Sequence, residues 1–217
     1  MIQEVLYRLQ LKEAEEHKPS YSEIYVTSLV QCPLKFTYSL KFPEIATAQN
    51  YQPYLILGKL VHYGLQHLLM ELSRSDFLKE FKLVGVEVEC SKTISVDASN
   101  LPYIVHVKGR ADLIVEKDGE KIVVEIKTAK GDYNIPSEHH VLQLRIYMNM
   151  LGIGKGLLLY ITPERIAEIA VEKPLDDFEL SNLVKEFLQR KGPRYSWECS
   201  YCQYAILCPF KRTNSRR

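Results

Sequence analysis

Two carboxylates and a lysine, Asp112, Glu125 and Lys127, surround a predicted β-hairpin turn. The turn is Asp118-Gly119, a dipeptide that favours two-residue hairpin loops, and strand-like residues lie on both sides of it. A two-residue loop here makes Asp112 the direct cross-strand neighbour of Glu125, with their Cβ atoms roughly 4.5–5.5 Å apart. Lys127 lies two residues beyond Glu125 and therefore projects from the same face of the sheet.

These two carboxylates carry like charges, which would repel each other and destabilise the strand pair. A divalent cation between them reverses that effect, and Mg²⁺ or Mn²⁺ prefers carboxylate oxygens while it retains several waters. Such a cation lowers the pKa of a bound water and polarises a phosphoryl oxygen, while the ammonium group of Lys127 orients the nucleophile or stabilises charge. The three residues therefore predict a site for phosphodiester hydrolysis.

The hairpin also has a purely structural interpretation. Ile122, Val124 and Ile126 are predicted to lie on one apolar face of the strand. An ordinary half-exposed strand with one buried apolar face would show the same Glu-x-Lys pattern on its outer face. The predicted register also places Arg110 opposite Lys127, which requires either a bulge between them or a phosphate that both residues face.

Helix-like and strand-like segments surround the hairpin. Apolar residues at three- and four-residue spacing predict helices over 2–17, 55–72, 137–151 and 175–191. Strand-like runs occupy 84–90, 103–116, 121–128, 156–162 and 166–172. A short helix capped by Thr27 or Ser28 is predicted to run past Cys32, with Pro33 interrupting it or lying in its first turn. This order predicts a mixed α/β fold, and the absence of GxxxxGK(S/T) excludes a P-loop ATPase motor.

Several motifs, in order, resemble those of the RecB-like branch of the PD-(D/E)xK nucleases. Gly109-Arg110-Ala111-Asp112 and Glu125-Ile126-Lys127 resemble the core motif, Gly58 to His62 resembles a GxxxH helix, and Gln143 to Tyr147 resembles a QxxxY helix. Ala111 stands where the generic motif has proline, as in many RecB-like members. The resemblance implies a restriction-endonuclease-like fold, in which a mixed sheet is flanked by helices.

The resemblance also assigns roles to individual residues. It implies that the ligands of a Mn²⁺ or Mg²⁺ ion are His62, Asp112, Glu125 and the backbone carbonyl of Ile126. It implies that the catalytic residues are Asp112, Glu125, Lys127, Gln143 and Tyr147. Gln143 and Tyr147 lie one helical turn apart and share a face, and by resemblance they hold the lysine and the DNA strand.

Three closely spaced cysteines, Cys199, Cys202 and Cys208, form a C-x2-C-x5-C pattern near the C-terminus. The total of five cysteines is odd, and this arrangement favours a metal site over disulfides. Four thiolates suit Zn²⁺ or an iron–sulfur cluster, so Cys32 or Cys90 must supply the fourth. Cys90 lies in a strand-like run, where a lone cysteine is usually a small buried apolar residue.

The iron–sulfur members of the RecB-like branch have one cysteine before the nuclease core and three after it. The resemblance therefore implies a 4Fe–4S cluster, with 2Fe–2S or zinc as alternatives, held by Cys32, Cys199, Cys202 and Cys208. It divides the chain into an N-terminal helical segment with one cluster cysteine (1–50), a nuclease core (51–192) and a C-terminal iron–sulfur lobe with a basic tail (193–217). Aromatic residues of this lobe either stack bases or shield the cluster: Trp197, Tyr201, Tyr204 and Phe210.

Charge is distributed unevenly along the chain. The net charge is +1, but eight Lys/Arg and two Asp/Glu lie between Lys185 and Arg217, which makes this segment either a phosphate-binding surface or a solubilising tail. The most apolar late stretch, 152–161, is too short for a bilayer and contains Lys155. Residues 1–18 lack the apolar run of a secretory signal. We therefore expect a cytoplasmic protein without a membrane partner.

These features together resemble the CRISPR-associated RecB-like iron–sulfur exonucleases, over roughly residues 28–210. The resemblance implies a metal-dependent deoxyribonuclease that degrades single-stranded DNA, commonly 5′ to 3′, in spacer acquisition and antiviral defence. Its implied partners are single-stranded DNA, the CRISPR integrase complex and further copies of the chain in a homo-oligomer. Two other functions fit the residues: a non-catalytic, metal-stabilised DNA-binding adaptor, and a zinc-containing RecB-like nuclease of DNA repair.

Overall fold

The computed structural model describes residues 1–16, 20–49, 51–75, 77–98 and 101–212. Its helices are α1 (Ile2–Glu16), α2 (Val26–Leu29), α3 (Pro33–Lys41), α4 (Pro43–Gln49), α5 (Pro53–Leu72), α6 (Glu138–Leu151), α7 (Asp177–Leu188) and α8 (Glu198–Tyr201). Its strands are β1 (Glu23–Tyr25), β2 (Lys82–Ala98), β3 (Leu101–Lys117), β4 (Glu120–Thr128), β5 (Lys155–Ile161) and β6 (Ile166–Val171). Residue 17 of the first predicted helix lies outside the described residues, and so do Arg216 and Arg217 of the predicted basic tail.

Six strands form one mixed sheet with the order β1-β3-β4-β5-β6, and β2 also pairs with β3. β4 runs antiparallel to β3 and parallel to β5. A parallel neighbour requires a crossover connection, usually a helix, and α6 provides it between β4 and β5. The prediction of a mixed α/β fold is therefore confirmed. In the described part of the chain, no helix is both long and apolar enough to cross a membrane.

The hairpin between β3 and β4 has the predicted turn. Asp118 and Gly119 have φ angles of 53° and 79°, and a type I′ turn requires positive values at both central residues. Lys117 pairs with Glu120 across this turn. The local sequence therefore determined the loop length and, with it, which residues face each other at this end of the hairpin.

Strand β4 is buried on both faces. Val124 and Ile126 pack in a core cluster with Leu113 and Val115, and Leu65 and Leu69 of α5 cover that cluster. On the opposite face of the strand, the exposed fraction of Val123 is 0% and that of Glu125 is 3%. The half-exposed hairpin that we considered as a structural interpretation is therefore excluded.

Two predicted helix boundaries had different outcomes. α6 begins after Ser137 and ends before Gly152, which has a φ angle of 66°, so both predicted boundaries are confirmed. The hydroxyl of Ser137 donates to the carbonyl of Asn134 at 3.2 Å and does not cap the helix. The helix predicted to run past Cys32 is wrong: α2 ends at Leu29. Cys32 is the N-cap of α3 and Pro33 is its first residue, because proline favours a first turn and disfavours a helical residue before it.

The chain divides into two compact units, each assembled from separated segments. The first unit comprises Met1–Ile56, Thr93–Val107 and Ser181–Arg217, and the second comprises Leu57–Lys92 and Lys108–Leu180. The predicted division at residues 50 and 192 follows chain order and stays a prediction about which segments carry which function. The first unit contains Cys32, Cys199, Cys202 and Cys208, and the second contains His62, Asp112, Glu125, Lys127, Gln143 and Tyr147.

Candidate functional site

The side chain of Asp112 lies where the antiparallel ladder between β3 and β4 stops. The last backbone pair is Leu113 with Val124. Beyond it, the backbone N–H of Ile126 donates to Oδ2 of Asp112 at 2.7 Å, so a side-chain oxygen replaces the carbonyl that a continued ladder would offer. The predicted pairing of Asp112 with Glu125 lies one position beyond the last backbone pair and stays a prediction.

The predicted opposition of Arg110 and Lys127 also lies beyond the last backbone pair and stays a prediction. Arg110 forms an ion pair with Glu87 of β2. Lys127 donates instead to a carboxylate of its own strand, as described below. The register extrapolated from the turn is confirmed for all five backbone pairs, from Lys117 with Glu120 to Leu113 with Val124.

Glu125 is a buried carboxylate with unequal oxygens. Oε1 accepts from Nζ of Lys127 and from Nε2 of Gln143, each at 2.7 Å. Oε2 is buried and has no hydrogen-bond partner. Burial raises the pKa of Glu125 to about 7, against the lowering effect of Lys127, and the nearby Asp112 raises the pKa further. The carboxylates of Asp112 and Glu125 are thus close enough for their negative charges to repel each other.

The raised pKa predicts how Glu125 affects stability in metal-free protein. A folded-state pKa above the unfolded value means that protonation favours folding, and this contribution is present below the unfolded pKa and lost as pH rises through about 7. We expect Glu125→Gln in EDTA at pH 8 to unfold at a higher temperature than wild type, by on the order of 2 kcal/mol of stability. The difference should vanish near pH 4.5. Glu120→Gln, on the exposed end of β4, should show no such pH-dependent gain, and equal melting curves for wild type and Glu125→Gln at pH 8 would contradict the expectation.

Lys127, Gln143 and Tyr147 form a chain of hydrogen bonds on the α6 side of β4. Nζ of Lys127 donates to Oε1 of Gln143 at 2.9 Å, and Nε2 of Gln143 donates to the Tyr147 hydroxyl at 3.2 Å as well as to Glu125. Burial raises the pKa of Tyr147 well above its ordinary value, and the Glu125 carboxylate adds to that effect. The phenol therefore stays protonated, and the structure brings together these four residues, each of which was predicted from sequence.

His62 of α5 approaches the same carboxylates. Its Nδ1 lies 3.4 Å from Oδ1 of Asp112. Gly58 lies one helical turn before His62, and a Cβ atom at Gly58 would lie 3.1 Å from Oγ1 of Thr128. Any larger residue would require Thr128 to shift by a few tenths of an ångström, so glycine suits the close approach of α5 to the end of β4.

Among the described residues, no three His, Cys, Asp or Glu side chains converge closely enough to hold a metal ion. The donor atoms at this site nevertheless fit a hard divalent cation. Oε2 of Glu125 is a buried carboxylate oxygen without a hydrogen-bond partner. Burying such an oxygen destabilises the fold unless a donor or a cation binds it. The Oδ1 atom of Asp112 and the Nδ1 atom of His62 are neighbouring donors. The carbonyl of Ile126 stays a predicted ligand.

The four predicted cluster cysteines lie near one another in the first unit. All are free, half-buried thiols. Cys202 interacts electrostatically with Cys199 and Cys208, and Cys32 interacts with Cys202. Cys90 belongs to the second unit, where burial raises its pKa to about 11 and the Glu125 carboxylate contributes to that rise. The structure thus brings Cys32, and not Cys90, to the C-terminal cysteines.

The sequence reasoning missed Glu198, which holds two parts of the cysteine lobe together. This buried carboxylate accepts from the backbone N–H of Cys32 at 2.6 Å, and from those of Arg194 and Tyr195 at 2.7 and 2.9 Å. The half-buried side chain of Lys35 interacts electrostatically with Cys202, Glu198 and Cys32. A carboxylate directly before Cys199, between aromatic residues, was the only available signal in the sequence.

Packing around Cys32 is tight. A Cβ atom at Gly192 would lie 2.6 Å from Sγ of Cys32, so a larger residue there would force the thiol or the backbone to shift. Of the predicted aromatic residues, Tyr204 is fully buried and stacks on Tyr38 with ring centroids 5.8 Å apart. Three others are exposed, namely Trp197, Tyr201 and Phe210. Tyr204 therefore shields the lobe, and the exposed rings remain candidates for base stacking.

Comparisons with known proteins agree with this geometry. Residues 70–209 match the family model of the PD-(D/E)XK nuclease superfamily. The chain is 39% identical to the protein named CRISPR-associated exonuclease Cas4 of Saccharolobus solfataricus, over 98% of this chain and 100% of that protein. It is also similar to the crystal structure of the protein SSO0001, with a TM-score of 0.84 and 37% identity over 98% of each chain.

The family match covers more than half of the chain and includes the hairpin, the QxxxY helix and three of the four lobe cysteines. The similarity to the curated relative extends over nearly all of both chains. The chain is therefore a nuclease that belongs to the PD-(D/E)XK superfamily and, within it, to the family of the CRISPR-associated exonucleases.

Proposed function

We propose that the chain is a Mn²⁺- or Mg²⁺-dependent exonuclease that degrades single-stranded DNA in the 5′ to 3′ direction. The observation that carries this proposal is the state of Glu125. One of its buried oxygens is held by Lys127 and Gln143, and the other has no partner beside a second carboxylate, Asp112. Such an arrangement would suit a hard divalent cation, which could supply Lewis-acid chemistry to a phosphodiester.

The residues that would hold the cation are His62, Asp112, Glu125 and the carbonyl of Ile126. When bound, a divalent cation offsets the charge of the two carboxylates and lowers the pKa of its water. The hydrogen bond from Ile126 N–H fixes Oδ2 of Asp112, which leaves Oδ1 as the oxygen that faces His62. The backbone of β4 therefore orients one proposed ligand without help from any other side chain.

Lys127 is the residue that would act on the phosphate or the nucleophile. Its ammonium group is held by Glu125 and Gln143 at 2.7 and 2.9 Å, so it needs little reorganisation to donate a hydrogen bond to a developing negative charge. Gln143 holds Lys127 through its carbonyl oxygen, and the Tyr147 hydroxyl accepts from the amide nitrogen of Gln143. The orientation of the amide is fixed by Lys127, whose ammonium group can only donate, and by Oε1 of Glu125, which accepts from the amide nitrogen.

The substrate and the polarity can be tested with end-blocked oligonucleotides. With Mn²⁺, we expect rapid degradation of a single strand blocked at its 3′ end by biotin–streptavidin, and resistance of the same strand blocked at its 5′ end. A duplex of the same sequence and a circular single strand should both resist, because an exonuclease of this kind needs a free single-stranded end. Rapid cutting of the circle would show endonuclease activity, and degradation of only the 5′-blocked strand would reverse the proposed polarity.

We also propose that Cys32, Cys199, Cys202 and Cys208 hold a 4Fe–4S cluster, with 2Fe–2S or zinc as the alternatives that metal analysis distinguishes. The mutual proximity of these thiols supports a four-thiolate site. The ammonium group of Lys35, which interacts with Cys202 and Cys32, supports a group of net negative charge. The hydrogen bond from the backbone N–H of Cys32 to Glu198 joins segments from both ends of the chain, which supports a lobe assembled from these two segments. The proposed role of the cluster is structural.

For the biological role, we propose CRISPR spacer acquisition and antiviral defence in the cytoplasm, together with the integrase complex and as a homo-oligomer. The similarity to a CRISPR-associated exonuclease over nearly the whole chain supports this pathway. We expect the chain to co-purify with the integrase. We also expect cells that lack the chain to acquire no new spacers.

A further inference from the structure

Glu87 lies in strand β2 with a φ angle of 52°. That value is unfavourable for any residue with a Cβ atom, and it is uncommon inside a strand. The chain is also crowded here, because a Cβ atom at Gly85 would lie 2.7 Å from Cγ2 of Val88. A local kink of this kind re-aims a side chain, and such kinks are frequent beside active sites.

The kink gives the Glu87 carboxylate two partners. Oε1 accepts from Nε2 of Gln66, which is only 3% exposed, and Oε2 pairs with Nε of Arg110. The side chain of Arg110 is 52% exposed, whereas that of Glu87 is 29% exposed. The inner end of this group is thus fixed by a buried amide, and the guanidinium group at its outer end faces solvent.

This group lies beside the proposed catalytic centre in the second unit. Gln66 follows His62 by one turn on α5, so the two side chains share a helix face. Arg110 precedes Asp112 by two residues on β3, so the two side chains share a sheet face about 7 Å apart. That separation is on the scale of one nucleotide step along an extended strand.

A half-exposed ion pair such as that of Glu87 with Arg110 contributes little to the free energy of folding. This contribution is smaller than the conformational cost of a backbone residue with an unfavourable φ angle. The strain at Glu87 therefore has a better explanation in what it positions. Nε of Arg110 is the atom paired with Glu87, which leaves the terminal nitrogens of the guanidinium on the solvent side. Their planar fork matches the oxygens of a phosphodiester.

We propose that Arg110 binds the substrate phosphate next to the scissile one, and that Glu87 and Gln66 are positioning residues for its guanidinium group. This inference rests on the proposed catalytic centre for its location. It names the ligand chemistry as the anionic backbone of a single DNA strand, read without regard to base.

The test compares Arg110→Ala with Arg165→Ala. Arg165 is a matched control, because it is an arginine of the same unit whose Nε pairs with a carboxylate, Asp132, and whose side chain is 57% exposed. With Mn²⁺ and single-stranded DNA, we expect Arg110→Ala to raise KM roughly tenfold while kcat changes little. Arg165→Ala should leave both unchanged. Glu87→Gln keeps the arginine but weakens its tether, so it should raise KM by a smaller factor.

A neutral linkage identifies the phosphate. Single methylphosphonates are placed in turn along the substrate, and at one position the neutral linkage should weaken wild-type binding roughly tenfold in a fluorescence-anisotropy titration with EDTA. At that position it should have no further effect on Arg110→Ala. An equal loss for both proteins at every position would overturn the inference, and so would an unchanged KM for Arg110→Ala.

The binding titration does not depend on hydrolysis, so the two proposals fail separately. A neutral-linkage effect that depends on Arg110, in a protein that never cuts DNA, would support the phosphate contact and overturn the proposed nuclease mechanism. If the protein cuts DNA normally but no neutral linkage has an effect that depends on Arg110, the nuclease mechanism is supported and the phosphate contact is overturned. Arg110→Lys, which keeps the charge without the fork, should lie between wild type and Arg110→Ala and guards against a misfolded alanine variant.

Discussion

Glu125→Ala and Lys127→Ala are each expected to abolish the degradation of labelled single-stranded DNA in Mn²⁺, with kcat reduced about 10³-fold or more. Glu125 supplies the unpartnered buried oxygen of the proposed metal site. Lys127 supplies the only ammonium group described as hydrogen-bonded to both Glu125 and Gln143. Asp112 cannot replace Glu125, because its Oδ2 is already held by the N–H of Ile126. Denaturing gels of timed reactions measure the loss directly.

The hairpin offers matched controls for both variants. Glu120 at the start of β4 and Lys155 at the start of the neighbouring strand β5 form an ion pair, with side chains 60% and 52% exposed. Glu120→Ala and Lys155→Ala remove the same chemical groups from the surface, so we expect both to keep wild-type activity. If all five proteins degraded the DNA equally, the activity would come from a contaminant or from another site. Selective loss in the two control variants would place the reacting groups at the hairpin end instead.

Cys199→Ser is expected to lose the iron and sulfide of anaerobically purified protein and to lower the melting temperature strongly. A cluster that joins Cys32 to Cys199 closes a very long loop of chain, and loop-closure arguments give several kcal/mol for such a link, on the order of 5 kcal/mol. The measurements are iron, zinc and sulfide content, visible absorption and thermal unfolding. A colourless wild type that contains one zinc ion would favour the zinc alternative.

Cys90→Ser is the matched control for the cysteine lobe. Cys90 is also half-buried, but its described neighbours include Glu125 and Tyr147 of the second unit. We expect Cys90→Ser to keep full iron content. Unchanged iron content and melting temperature in Cys199→Ser would remove that cysteine from the ligand set, and loss of iron in Cys90→Ser would reopen the choice of the fourth ligand.

Several parts of the fold were legible from the sequence because they depend on neighbours along the chain. The Asp118-Gly119 turn follows from the positive φ angles that these residues tolerate. α6 follows from its apolar spacing and from Gly152, which adopts the left-handed conformation at its end. The helix boundary at Pro33 was predicted only in part. The sequence indicated that the proline affects a helix there, but whether it interrupts one helix or begins another depends on what packs around it.

The site itself was only partly legible. The spacing of Gln143 and Tyr147 predicted a shared helix face, and the hydrogen bond between them confirms that geometry. The register of the hairpin predicted two neighbouring carboxylates, and it was correct up to the end of the ladder. It could not predict that the Asp112 side chain would take the N–H of Ile126, because that exchange depends on how two strands separate under the helices that cover them.

The sequence by itself determined the hairpin turn, the amphipathic elements, the motif residues and the cysteine spacing, since all of these arise from backbone preferences and from patterns that repeat over a few residues. Only the tertiary structure decided that Glu198 ties the segments of Cys32 and the C-terminal cysteines together, and that Glu87 pairs with Arg110. Those contacts join residues that are far apart in the chain. They form because buried charges and N–H groups must find partners once the core has closed, and no local preference specifies which partner that will be.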